Sequence, residues 1–95
     1  MLKRSIKITV LGHIKDEKYK RFTQKQAQDL AIEGVVQEQT EEGGLVIYAC
    51  GPSDNLEKFI DLLHLGPSGK PVEDVYAEPF VKEKDFRGVF RIIDK

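Results

Sequence analysis

Among the residues able to do chemistry, Glu38 is the candidate general base toward water, since a carboxylate performs that role when its pKa is raised. The plainer reading is a solvated glutamate at a strand end. Neither His13 nor His64 has a visible nucleophile or metal partner in the sequence. Cys50 is the single cysteine and has no partner for an internal disulfide; with two histidines it makes a poor zinc set. The stretch Lys15-Asp16-Glu17-Lys18-Tyr19-Lys20-Arg21 mixes both signs of charge and reads as a solvated loop. No metal is expected from this inventory.

These groups must be positioned by the elements around them. Ser5 to Leu11 alternates, with Ile6, Ile8 and Val10 on one face, which is the two-residue period of a half-buried strand. Gly12 ends it, and His13 to Lys18 is a polar connection. A helix is expected from about Tyr19 to Ile32, with Phe22, Ala27, Leu30 and Ala31 as its apolar stripe and Gln24, Lys25, Gln28 and Asp29 toward water. Gly34 reads as its stop.

Val35 to Thr40 and Leu45 to Cys50 read as strands joined by a Glu41-Glu42-Gly43-Gly44 turn, the second apolar on both faces. Ser53 or Asp54 is expected to cap a second helix carrying Leu56, Phe59, Ile60 and Leu63 at i, i+3, i+4 and i+7. Gly66-Pro67 stops that helix. A loop through Lys70-Pro71 precedes a strand over 72–80. Residues 81–87 form a charged loop, and 89–93 a short last strand. The order β-α-β-β-α-β plus a terminal strand predicts an α+β, ferredoxin-like α/β sandwich with two helices on one face of an antiparallel sheet.

The 95 residues suit a single domain spanning 1–95. Fifteen Lys+Arg against sixteen Asp+Glu leave a net charge of −1, without the long-range attraction that nucleic-acid and anionic-membrane binders rely on. No apolar run approaches the roughly 20 residues of a membrane span, and the N-terminus lacks a signal-peptide apolar core. A cytoplasmic protein is expected, with no nucleic acid and no membrane as partner.

The chain resembles the acylphosphatase family. That family opens with a strand and the loop Gly-Arg-Val-Gln-Gly-Val-Gly-Phe-Arg, against which Gly12 to Lys20 aligns without a gap. Phe22-Thr23-Gln24-Lys25-Gln26-Ala27 matches the bacterial form of the first helix, and Gly34-Val35-Val36-Gln37-Glu38 falls on the family's Gly-Trp-Val-Arg-Asn. The stretch from Phe59 to Pro67 fits the pattern ahead of the family's Gly-Pro, and Phe86 to Ile92 resembles its closing Phe-x-x-Phe-x-Ile. The resemblance implies hydrolysis of the carboxyl–phosphate bond of small acyl phosphates without metal or cofactor. It also implies a phosphate cradle of loop N–H groups over Lys15, Asp16, Glu17, Lys18 and Tyr19, an arginine closing the loop, and a water-orienting asparagine.

The carried-over positions depart from that pattern. Lys20 stands at the arginine position, keeping the charge but losing the planar fork; Arg21, about 100° away around the helix, is the alternative guanidinium. Glu38 stands at the asparagine position and would repel a phosphate by roughly 3 kcal/mol per charge pair at about 5 Å and an effective dielectric of about 20. Asp16 and Lys18 replace two loop glycines. The resemblance therefore implies a degenerate active site, with activity absent or severely reduced and a binding or interaction role. The alternative is a weak acylphosphatase holding a small anion or acyl phosphate through Lys20 and the loop N–H groups. A protein partner is a further candidate, on the open sheet face where Val46, Tyr48 and Cys50 would form an apolar patch.

Overall fold

The computed structural model describes residues 3–12, 17–39, 44–66, 74–80 and 86–93. The alternation at the start of the chain becomes β1 (Lys3–Leu11), with Ile6, Ile8 and Val10 buried. It is followed by α1 (Glu17–Asp29), β2 (Glu33–Gln39), β3 (Gly44–Pro52), α2 (Ser53–Leu65), β4 (Asp74–Pro79) and β5 (Phe90–Ile93). The strands form one sheet in the order β4-β1-β3-β2-β5. The first four are antiparallel neighbours, and β5 joins β2 in parallel. This is the α+β, ferredoxin-like arrangement expected from the element order. The turn at 41–43, the loop at 67–73 and residues 81–85 lie outside the described residues.

β3 is apolar on both faces because it is central, paired with β1 on one side and β2 on the other. Leu45, Ile47 and Ala49 face the helices and are fully buried. The open face differs from expectation. Val46 is only 8% exposed and Cys50 is also buried, while Tyr48 is part-buried with its ring edge-on to Phe80 at 5.2 Å. A central strand has neighbours on both flanks, here Thr9 and Gln37 beside Val46, so its open-face side chains do not form an exposed patch. The exposed apolar residues of that same cross-strand row lie at its edges, Tyr76 on β4 and Ile93 on β5.

α2 buries Leu56, Phe59 and Leu63 as its spacing predicts, and Phe59 meets Phe90 edge-on at 6.0 Å. Its N-cap is Pro52, without a side-chain cap; Ser53 and Asp54 already lie within the first turn and do not cap it. Gly66, with φ 71°, ends the helix by donating its N–H to the Leu62 carbonyl at 3.0 Å.

α1 departs more from its pattern. Its inward stripe is Tyr19, Thr23 and Ala27 with Lys20 beside them; Phe22 and Leu30 are only part-buried, and Ala31 is exposed. Gln24 does not simply face water: it donates from Nε2 to the Phe90 carbonyl at 2.9 Å. The helix stops before Gly34. Ala31 adopts φ 56°, the Ile32 N–H bonds the Ala27 carbonyl at 2.8 Å, and the Ala31 N–H bonds that of Gln28 at 3.2 Å. That pair of bonds is a Schellman motif built on an alanine. Gly34 belongs to β2, where a Cβ would stand 1.8 Å from the Tyr48 carbonyl oxygen. It is required by close strand approach, not by helix termination. Among the described residues no helix is long and apolar enough to cross a membrane.

Candidate functional site

The alternation of β2 decides which way Glu38 points. Val36 is fully buried on the helix-facing side, and Glu38, two residues on, shares that face. Glu38 is paired in register with Leu45, which also pairs Val10, so the three form one cross-strand row beneath the start of α1. Lys20, in the first turns of α1, comes down onto this end of the sheet. Its side chain is only 6% exposed, and Nζ lies 2.9 Å from Oε1 of Glu38. Neither residue takes its plainer role. Lys20 is not a surface lysine, and Glu38, at 34% exposed, is not a fully solvated glutamate.

Glu17 closes the cluster from the solvent side. Its Oε1 is 3.9 Å from Lys20 Nζ and its Oε2 is 3.7 Å from Arg21 Nε. Arg21 is 77% exposed and pairs with Glu17, whereas the buried position is held by Lys20. A buried ammonium needs a counter-charge, because the desolvation of an isolated one is very costly. Here the chain supplies one from Glu38 in hydrogen-bonding contact, with Glu17 further off.

Tyr19 holds the first turn of α1 in place. It is buried, and its hydroxyl donates to the Leu63 carbonyl at 2.7 Å, tying the start of α1 to the last turn of α2. Burial pushes its phenol pKa well above the ordinary value of 10.0, so the group is a neutral donor throughout the physiological range. Thr23 Oγ1 donates back to the Tyr19 carbonyl at 2.9 Å. The structural role of Tyr19 was missed in sequence; its signal is the i, i+4, i+8 spacing of Tyr19, Thr23 and Ala27.

The remaining expected residues divide. Glu17 and Lys18 are exposed in the first turn of α1, whereas Lys15 and Asp16, with His13, lie outside the described residues. His64 is exposed in the last turn of α2, remote in the chain from the Lys20–Glu38 pair. Among the described residues no three His, Cys, Asp or Glu side chains are grouped to hold a metal ion.

The acylphosphatase family model matches residues 6–92, nearly the whole chain. This chain belongs to the acylphosphatase family. It is 32% identical over 84 residues to an acylphosphatase of Vibrio parahaemolyticus serotype O3:K6 (strain RIMD 2210633), covering 88% of this chain and 90% of that one. An acylphosphatase of Azoarcus sp. (strain BH72) is 29% identical over 68 residues, covering 72% and 68%. Among solved structures, an acylphosphatase from Coxiella burnetii superposes with a TM-score of 0.84 at 26% identity, over 96% of this chain and 93% of that one. The acylphosphatase fold thus sets the frame in which Lys20 and Glu38, 18 positions apart in sequence, are brought into contact.

Proposed function

We propose that this acylphosphatase-family domain hydrolyses acyl phosphates weakly or not at all and serves as a binding or interaction module. One observation carries the reading: the ammonium of Lys20, at the family's arginine position, is already bound at 2.9 Å by the carboxylate of Glu38, at its asparagine position. A phosphate entering there meets a neutralised cation and a like-charged carboxylate. It also lacks the bidentate fork that a guanidinium provides. The glycine positions replaced by Asp16 and Lys18 act in the same direction, since neither residue adopts positive φ freely.

A second reading draws support from the burial of Lys20. An ammonium held inside the first turns of α1 is placed as an anion ligand would be, which favours a weak acylphosphatase using Lys20 and the N–H groups of residues 15–19. The substrate class is then a small acyl phosphate, with no metal or cofactor called on. For an interaction role on the open sheet face, the accessible apolar groups among the described residues include Tyr76 and Ile93, with part-buried Tyr48, in place of Val46. In either reading we place the protein in the cytoplasm, without a nucleic-acid partner. Benzoyl phosphate hydrolysis by the purified protein separates the two. Turnover at an ordinary enzymatic rate, about 1 s⁻¹ or more, that disappears in Lys20→Ala would overturn the first reading. Turnover that stays at the background rate in both proteins would overturn the second.

A further inference from the structure

We infer that the Glu38 carboxylate is an internal occupant of an anion site, an autoinhibitory contact that keeps small oxyanions such as inorganic phosphate off Lys20. The inference rests on the impaired-hydrolase reading and adds to it a cause that can be removed. The two partners are buried unequally: the Lys20 side chain is 6% exposed, that of Glu38 34%. The cation therefore sits at the bottom of the contact and the carboxylate at its mouth, on the penultimate residue of β2. Their 2.9 Å separation is close to the distance at which an ammonium holds a phosphate oxygen. Carboxylate and external oxyanion thus compete for the same donor at the same range.

Glu17 does not replace Glu38. It stands at 3.9 Å from Lys20, beyond hydrogen-bonding distance, is largely exposed, and is shared with Arg21. Replacing Glu38 by glutamine keeps the side-chain size and removes the carboxylate held 2.9 Å from the buried ammonium. An external anion then gains what the carboxylate supplied.

The test is titration of inorganic phosphate into the wild type, Glu38→Gln and the double variant Lys20→Met/Glu38→Gln. Binding is followed by calorimetry and by thermal unfolding against chloride at matched ionic strength. The wild type serves as reference for the general stabilisation that phosphate gives any fold. Glu38→Gln is expected to bind phosphate at least about tenfold more tightly than the wild type, and the gain is expected to vanish in the double variant. Equal affinity in wild type and Glu38→Gln overturns the inference, as does a gain that survives Lys20→Met. If Glu38→Gln is unfolded in chloride, refolding by phosphate supports the inference and failure to refold overturns it. Benzoyl phosphate turnover by the wild type is scored separately. Turnover there defeats the impaired-hydrolase reading, whereas an inactive wild type with no phosphate gain in Glu38→Gln defeats only the internal-occupant inference.

Discussion

Removing either partner of the Lys20–Glu38 pair should have unequal consequences, and a double-mutant cycle measures both. At 2.9 Å and an effective dielectric of about 20, the gross attraction is about 6 kcal/mol. Solvent over the one-third exposed Glu38 and the desolvation of Lys20 cancel much of it, leaving an expected coupling of about 1–3 kcal/mol. Glu38→Gln takes the counter-charge held at 2.9 Å away from a buried ammonium, so it should cost about 2–4 kcal/mol. Lys20→Met fills the same space with an apolar chain and lets Glu38 turn toward water, so it should cost less. The double variant should be more stable than the sum of the two losses predicts, by the coupling energy. Urea unfolding followed by far-ultraviolet circular dichroism provides the four free energies, provided the slopes with denaturant agree. Additivity within about 0.5 kcal/mol, or a larger loss from Lys20→Met than from Glu38→Gln, would refute the buried-pair account.

Three further outcomes follow from the packing. Tyr19→Phe deletes a buried donor and leaves the Leu63 carbonyl short of a partner, at a cost of about 1–3 kcal/mol. The phenol pKa is raised in the folded chain. This stabilisation is therefore complete below the ordinary value near 10.0 and falls as pH rises above it, by about 1.4 kcal/mol per pH unit. Wild-type stability should thus decline more steeply than that of Tyr19→Phe between pH 10 and 11, as read from urea midpoints. Ala31→Gly relieves a φ of 56° at the end of α1 and should stabilise the fold by about 0.5–1 kcal/mol; a loss of stability would count against the Schellman end. Gly34→Ala places a Cβ 1.8 Å from the Tyr48 carbonyl oxygen and should abolish folding or cost more than about 3 kcal/mol, as checked by soluble yield and thermal unfolding.

The elements whose patterns speak for themselves were legible. β1 alternates, β3 is apolar on both faces because it is central, and α2 repeats Leu56, Phe59 and Leu63 at helical spacing. α1 was less legible because its inward stripe includes Thr23, whose hydroxyl is satisfied by the Tyr19 carbonyl, and Lys20, whose charge is satisfied by Glu38. Hydropathy counts both as outward residues. It therefore turned the expected stripe toward Phe22, Leu30 and Ala31. Gly34 was misread for a related reason: a glycine after a helix resembles a stop until β3 is placed against it. The resemblance to the family's motifs pointed to Lys20 and Glu38. Their contact was not legible, since no local period links the start of a helix to the end of the next strand.

The central claim is that the chain's own carboxylate occupies the cation that would otherwise hold a phosphoryl group. Its most direct measurement is benzoyl phosphate hydrolysis by the wild type beside Lys20→Arg/Glu38→Asn, which introduces the two side chains that the family resemblance implies at these positions. The account predicts background hydrolysis by the wild type and a clear rise in the double variant. Ordinary turnover by the wild type, lost in Lys20→Ala, would contradict it, whereas no rise in a well-folded double variant would shift the defect to the loop positions of Asp16 and Lys18.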